Sequence, residues 1–438
     1  MVKRCVQRPL CTAAALLLAA AGAHGAGFGI IENSASGMGT AYASGGAAAE
    51  DASTVWFNPA SMTLLGGQNA VGALNVILPS ADFSNSGSTL ANGKELKGPD
   101  SNSDVPALIP NFYYSGQISA QWFAGLSINA PFGLVTRYDD DWVGRYHAVE
   151  SDLKIVNINP ALAYKIDEHL SVGGGINMQL LDITLSSAVD CGALLGAPGG
   201  ADGFAELTGN NFGTPGFGWN VGVLYSIDEH TRFSLAYRSA VDQHVTGDAD
   251  FTVPDAAALI VSTGAFADTT LHSDVTLPAS ASLGAFHNYG RLDLMADLTW
   301  TQWSTFDELR IKYDNPDQPD SVTTEDYQDQ WRVAVGGRYR VSETLLLRAG
   351  TAYDQKAVKD RYRRTPRIPD NDRFWLSIGA GYAFDDLLGI DLAYSHLFVP
   401  KTKIENTFES DLSEINHTLK GEYESGVDIL SAQLTMKF

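Results

Sequence analysis

Cysteine is nearly absent from this chain: of three, Cys5 and Cys11 lie in the first dozen residues, leaving Cys191 alone in the body of the protein. A lone cysteine closes no intramolecular bridge, so disulfides are excluded as what holds the fold together. Positive charge is scarce as well. Against 51 Asp and Glu stand 29 Lys and Arg, a formal charge of −22 that becomes −25 once Lys3, Arg4 and Arg8 are set aside. That balance speaks against nucleic acid as a partner. Long apolar runs are missing too, and without about 20 consecutive apolar residues a helical membrane protein is excluded. Nor is there a Ser/His/Asp set, a pair of catalytic carboxylates or a cluster with metal-ligand spacing. Asp139-Asp140-Asp141 and Asp314-Asn315-Pro316-Asp317 read as solvated loops, and the two Ile-Asp-Glu-His copies at 166–169 and 227–230 read as turn chemistry. No enzyme, metal or cofactor is expected.

What is present begins with an address. Lys3, Arg4 and Arg8 precede a short apolar core, Thr12 to Ala23, and Ala23-His24-Gly25 puts small residues at the −3 and −1 positions of a cleavage site. Residues 1–25 therefore read as a Sec signal peptide, with a mature chain from Ala26. Residues 26–66 follow, too rich in Gly, Ala and Ser for a strand and too broken by Gly37, Gly39, Gly45 and Gly46 for a long helix. Such a stretch suits a compact plug inside a barrel or a flexible tail. Trp56, Phe57, Met62 and Leu64 at its end favour burial, and hence the plug.

From residue 67 onward the hydrophobic pattern has period two, the strand signature. Phe217, Trp219, Val221, Val223 and Tyr225 share one face, with Gly218, Asn220 and Gly222 opposite. Trp331, Val333, Val335 and Tyr339 oppose Arg332, Arg338 and Arg340. Short connections near 115–120, 167–169, 228–230, 288–291, 342–344 and 385–388 alternate with long ones near 81–105, 135–151, 186–215, 247–273, 313–327, 355–372 and 401–425. Strands near ten residues, aromatics at their ends and alternating short turns and long loops describe a bacterial outer-membrane barrel. The expected fold is all-β: a fourteen-stranded antiparallel transmembrane β-barrel over 67–438, plugged by an N-terminal hatch over 26–66.

Three further features bear on function. Outer loops are normally polar, yet 186–215 holds Leu194, Leu195 and Phe204, and 247–273 holds Leu259, Ile260 and Phe266. They read either as caps that stabilise the barrel or as a greasy surface that collects apolar ligands. Pro131-Phe132-Gly133 interrupts an otherwise regular strand, as an ordinary strand end or as a local break in the wall. Asn58-Pro59-Ala60 reads as a buried turn.

In combination, Ala26-Gly27-Phe28, Ser36-Gly37-Met38-Gly39-Thr40-Ala41-Tyr42, Asn58-Pro59-Ala60, Asn129-Ala130-Pro131-Phe132-Gly133, Trp142-Val143-Gly144-Arg145-Tyr146, Asn159-Pro160, Ala236-Tyr237-Arg238-Ser239 and Arg367-Ile368-Pro369-Asp370-Asn371-Asp372-Arg373 resemble the FadL family. These are outer-membrane transporters of long-chain fatty acids and other hydrophobic compounds. The resemblance implies a monomeric barrel closed by a hatch. An apolar ligand would land between two outer loops, pass to a lumenal pocket and leave sideways. Leu194, Leu195, Phe204, Leu259, Ile260 and Phe266 would then form the landing groove. Pro131, Phe132 and Gly133 would form the exit, and Asn58, Pro59 and Ala60 a hinge. Arg238, Arg332 and Arg348, which the alternation turns inward, are candidates to meet a fatty-acid carboxylate. They are equally suited to ion pairs with Asp242, Asp293 and Asp297. The basic outer loop holding Lys356, Lys359, Arg361, Arg363, Arg364 and Arg367 suggests lipopolysaccharide as a partner beside membrane lipid. The alternative is a general diffusion porin, with an open lumen and no hatch.

Overall fold

The computed structural model describes residues 27–43 and 45–438; the expected signal peptide and Ala26 lie outside the described residues. Fourteen strands form the wall: β1 (Gln68–Asn85), β2 (Ala107–Gln117), β3 (Trp122–Asn129), β4 (Glu150–Lys165), β5 (Leu170–Asp190), β6 (Gly216–Ser226) and β7 (Thr231–Arg238). They continue with β8 (Ser280–Tyr289), β9 (Leu292–Thr301), β10 (Gln330–Arg340), β11 (Leu345–Asp354), β12 (Arg373–Ala383), β13 (Leu388–Phe398) and β14 (Thr418–Lys437). Each pairs antiparallel with the next. The ring closes where β14 returns to β1, in register from Asn69↔Lys437 to Asn85↔Gly421. Closure removes the free edges of the sheet, which is what allows it to stand in lipid.

The period-two pattern translates directly into faces. Phe217, Trp219, Val221, Val223 and Tyr225 of β6 are exposed on the outside, while Asn220 is buried inside. On β10, Trp331, Val333 and Val335 face out and Arg332 and Arg338 face the lumen. The six short connections lie at one end. Three of them share one Asx turn: Asp167 Oδ1 accepts from the backbone N–H of His169 and Leu170, both at 2.8 Å, and Asp228 and Asp385 repeat this with His230 and Thr231 and with Leu387 and Leu388.

The long end departs from the expectation. Instead of loops, 186–215 and 247–273 carry the wall outward. Asp202–Asn210 pairs with β5 and with Val241–Thr252, which pairs in turn with Thr269–Leu277. The Gly- and Pro-containing stretch around 191–201 hides this continuation in the sequence, because only one helical turn, Cys191–Leu194, separates the two strands. Other outer segments interlock. Tyr138 stacks on the fully buried Trp142 with ring centroids 4.2 Å apart, and Arg145 Nε meets Asp202 Oδ2 at 2.8 Å.

Residues 27–43 and 45–66 run inside the ring. One helical turn, Ala35–Met38, lies against β12, β13, β14 and β1, and the Pro59–Leu64 turn lies against β4, β5 and β6. Asn58 begins that turn. Its Oδ1 accepts from Ala60 N–H at 3.0 Å, and its Nδ2 donates to the Val223 carbonyl at 3.0 Å. The wall residue behind it has to be Gly222, since a Cβ there would overlap the Asn58 amide.

Candidate ligand-binding site

Below the raised outer wall lies an apolar cavity. Leu134, Leu153, Leu181 and Ile183 of the β4–β5 side face Val245, Leu271, Val275 and Leu277 from the extended strands. Phe28 and Phe306 close its inner end, and Leu309 and Ile311 line its outer half. It encloses about 890 Å³ of space, counted to its open ends and including solvent there. Two charged side chains line it, Arg367 and Glu325.

Arg367 comes from the β11–β12 loop. Its guanidinium donates to the Glu150 carbonyl at 2.7 Å, the Ser151 hydroxyl at 2.8 Å and the Ser186 carbonyl at 3.2 Å. Among the described residues it has no ion pair, so a full positive charge is held against an apolar wall by neutral acceptors alone. Burial disfavours the charged form and pulls its pKa down to about 10, with Glu325 pulling the other way. It stays cationic at neutral pH.

The inner end of the cavity is a cluster of rings. Phe28 packs edge-on against Trp303 (centroids 4.7 Å apart) and Phe306 (5.4 Å), and Phe132 reaches Trp303 at 6.0 Å. Beyond them is a second, more polar chamber bounded by Trp56, Phe57, Pro131, Arg238, Asp297 and Arg332. It sits beside a break in the wall. Pairing of β2 with β3 stops at Phe112↔Ile128, although β2 continues to Ala107 in pairing with β1. After β3 the chain rejoins the wall as Gly133–Arg137, paired only with β4. The exposed backbone is met by the N-terminal segment: Ile30 N–H donates to the Pro131 carbonyl at 2.8 Å, and Gly133 N–H to that of Phe28 at 3.0 Å.

The candidate residues divide accordingly. Leu194, Ile260 and Phe266 come together around Cys191 and Ala257, while Leu195 and Leu259 point outward and Phe204 stands half-buried opposite Thr252. Arg238 lies 3.4 Å over the Trp56 ring and donates to its carbonyl at 2.8 Å; Arg332 donates to the Ala41 carbonyl at 2.7 Å. Both line the chamber without a carboxylate partner among the described residues. Arg348 does not: Asp391 holds it at 2.7 Å and Glu50 bonds it as well, so it is not available to a ligand. Of the acids expected to pair, Asp293 takes Arg338 and Arg340, but Asp242 is exposed and bonds Thr276. Arg367 and Glu325 were hidden from sequence reading as a pair at the site. Arg367 reads as one more cation in a basic loop, and only its apolar neighbour Ile368 and flanking prolines hint at burial.

A closed barrel with an outward apolar belt, short turns at one end and a raised wall at the other defines an integral outer-membrane β-barrel. A family model described as outer membrane protein transport protein (OMPP1/FadL/TodX) matches residues 16–438, and the chain belongs to that family. The family is one of transporters, not enzymes. The chain is 32% identical over 420 residues to outer membrane protein P1 of Haemophilus influenzae, covering 88% of each. It is 30% identical over 444 residues to the long-chain fatty acid transport protein of Escherichia coli K12, covering 92% of this chain and 96% of that one. Among solved structures it resembles a Pseudomonas aeruginosa FadL homologue, with a TM-score of 0.86, 25% identity and coverage of 94% and 100%. The fold is also similar to the Pseudomonas putida toluene transporter TodX, at TM-score 0.66 and 17% identity over 91% and 98% of the chains.

Proposed function

We propose that this transporter takes up long-chain carboxylates and similar apolar molecules by passive transfer through the barrel. The observation that carries the reading is the apolar cavity with one half-buried guanidinium in its wall, that of Arg367, which has no ion-pair partner among the described residues. Alkyl chains leave water at roughly 0.8 kcal/mol per buried CH2, and a carboxylate head supplies the partner that Arg367 lacks. The apolar residues around Ile260 and Phe266 serve as the landing surface.

Residues 26–66 act as the hatch, seated through Asn58, Pro59 and Ala60. The ligand leaves by way of the chamber at Arg238 and Arg332 and the gap at Pro131, Phe132 and Gly133. The contacts of Phe28 and Ile30 with that gap support a coupling, since shifting the segment removes the bonds that cover it. The closed ring needs no second copy, and a monomer surrounded by lipid and lipopolysaccharide fits it. An uncharged hydrocarbon is the second reading of the ligand, favoured by walls that are mostly apolar, with Arg367 and Glu325 as the charged side chains.

The test is twofold, on full-length mature protein in lipid nanodiscs and planar bilayers. Labelled oleate is expected to bind saturably and to be displaced by other long-chain carboxylates but not by sugars. Conductance is expected to be quiet in the intact protein and large once residues 26–66 are deleted. Absence of saturable binding, or steady large conductance from the intact protein, would favour the diffusion porin instead.

A further inference from the structure

Glu325 has no place in the reading so far, yet it shares the cavity with Arg367. It follows the outer hairpin formed by Glu308–Tyr313 and Ser321–Thr324, and its backbone N–H donates to the Asp307 carbonyl at 2.8 Å. The residue is 2% exposed, and its Oε2 has no hydrogen-bond partner. The Tyr327 hydroxyl lies beside the carboxyl without meeting hydrogen-bond geometry. Arg367 is close enough for each group to perturb the other's protonation, but among the described residues the two form no ion pair. A buried acid and a half-buried guanidinium thus face one apolar cavity with a gap between them.

We infer that Glu325, in its protonated form, is the second half of a head-group clamp: its O–H donates to one oxygen of an anionic ligand head while Arg367 donates to the other. The inference rests on the carboxylate reading of the cavity. Its chemistry is a matter of counting donors. Ionised Glu325 is acceptor-only and repels an anion; protonated, it offers one donor. Ionised, it also competes with the ligand for Arg367. The residue therefore both selects an anionic head over a neutral one and makes its binding depend on pH.

The surroundings set the direction of that dependence. Desolvation lifts the Glu325 carboxyl to about 8, opposed by Tyr327, Arg367 and Arg363 and assisted by Glu409. Arg363 is itself paired with Glu409 at 2.9 Å, so Arg367 is the nearest uncompensated charge. At pH 7 most molecules hold Glu325 neutral and ready to donate. As pH rises through about 8, the competent fraction falls and apparent affinity falls with it.

The experiment measures binding to the full-length mature protein in nanodiscs from pH 6.5 to 9 with three probes: dodecanoate, dodecanesulfonate and dodecanol. The sulfonate is anionic throughout, so its slope cannot come from its own head. Both anions are expected to weaken about tenfold over this range, and dodecanol by less than about twofold. Glu325→Gln, which always offers an N–H donor, is expected to flatten both anion profiles while keeping the pH 7 affinity within a few-fold. Glu325→Leu is expected to weaken the anions at every pH and to spare dodecanol. Heat-modifiable gel mobility checks that each variant remains a folded barrel. An anion slope that survives Glu325→Gln, or an equal slope for dodecanol, would overturn the inference. If instead no probe binds saturably, the carboxylate reading of the cavity itself has failed, a different outcome.

Discussion

Arg348 is a buried guanidinium and Arg367 a half-buried one inside the same barrel, and they do opposite work. At the short-turn end, Arg348 lies between Glu50 of the N-terminal segment and Asp391 of β13, and Arg338 joins Glu50 at 2.9 Å to Asp293 of β9. Every charge in that network has its opposite. Nothing is left for a ligand, and what the charges hold together is the segment and the wall. At the raised end, Arg367 meets only carbonyls and a hydroxyl. A cation drawn partly out of water without its anion is costly for the protein to maintain. Its partner is then best sought in what the cavity receives. The comparison separates a cation that fastens from a cation that waits.

The largest effect is expected where fastening is removed. Arg348→Ala leaves Asp391 uncompensated in the lumen and Glu50 with one partner instead of two. Breaking a buried pair this way costs about 3–5 kcal/mol. The wall has its own ladder of hydrogen bonds, so the cost should fall on the seating of the N-terminal segment. Bilayer recordings should show bursts of large conductance, and protease should gain access to residues around 44–53, while gel mobility still reports a folded barrel. Glu50→Gln should do the same more weakly, because Arg348 keeps Asp391 and Arg338 keeps Asp293. A silent, protease-resistant Arg348→Ala protein would erase the distinction between the two arginines.

Next is the arginine that waits. A hydrogen bond to a charged group contributes about 1.5–3 kcal/mol, roughly a ten- to hundredfold change in Kd. Arg367→Ala is expected to weaken dodecanoate by that factor and leave dodecanol within about twofold, with conductance unchanged from wild type. Arg367→Lys should restore only part of the loss, since an ammonium cannot reproduce the fork that reaches the Glu150 and Ser186 carbonyls while also meeting a carboxylate. Equal losses for acid and alcohol would mean that Arg367 shapes the cavity without reading the head group.

How much of this was legible beforehand follows the same division. The wall was legible because lipid imposes a period on every second side chain: the inward turn of Arg332 and Arg338 could be read from Trp331, Val333 and Val335 on the same strand. The break at Pro131 could be read from proline chemistry. Whether an inward arginine is paired could not be read. Glu50 and Arg348 are 298 residues apart, and their meeting depends on how a segment with no period of its own lies in the lumen. Arg367 was masked by its neighbours in sequence, five cations of which most face solvent. The outer extensions were missed for a related reason. Gly and Pro around 191–201 read as the end of a strand, but they mark only a corner, and the alternation resumes at Gly203.

Those neighbours provide the sharpest and smallest test. Lys359 pairs with Asp326, Arg363 with Glu409, and Arg361 with Glu405, all of them substantially exposed. Exposed pairs contribute little to stability and are screened by salt. Unlike Arg367, these cations already have their anions and stand in high dielectric. If the apolar cavity and not the basic loop recognises the ligand, then replacing Lys359, Arg361 and Arg363 together by Gln should change dodecanoate affinity by less than about twofold at physiological salt. A modest drop in the rate of capture at low ionic strength is still consistent, since unscreened cations steer anions from a distance. A tenfold loss of affinity at physiological salt would not be. It would move head-group recognition from the guanidinium in the cavity wall to the surface, and the difference between Arg367 and its neighbours would lose its meaning.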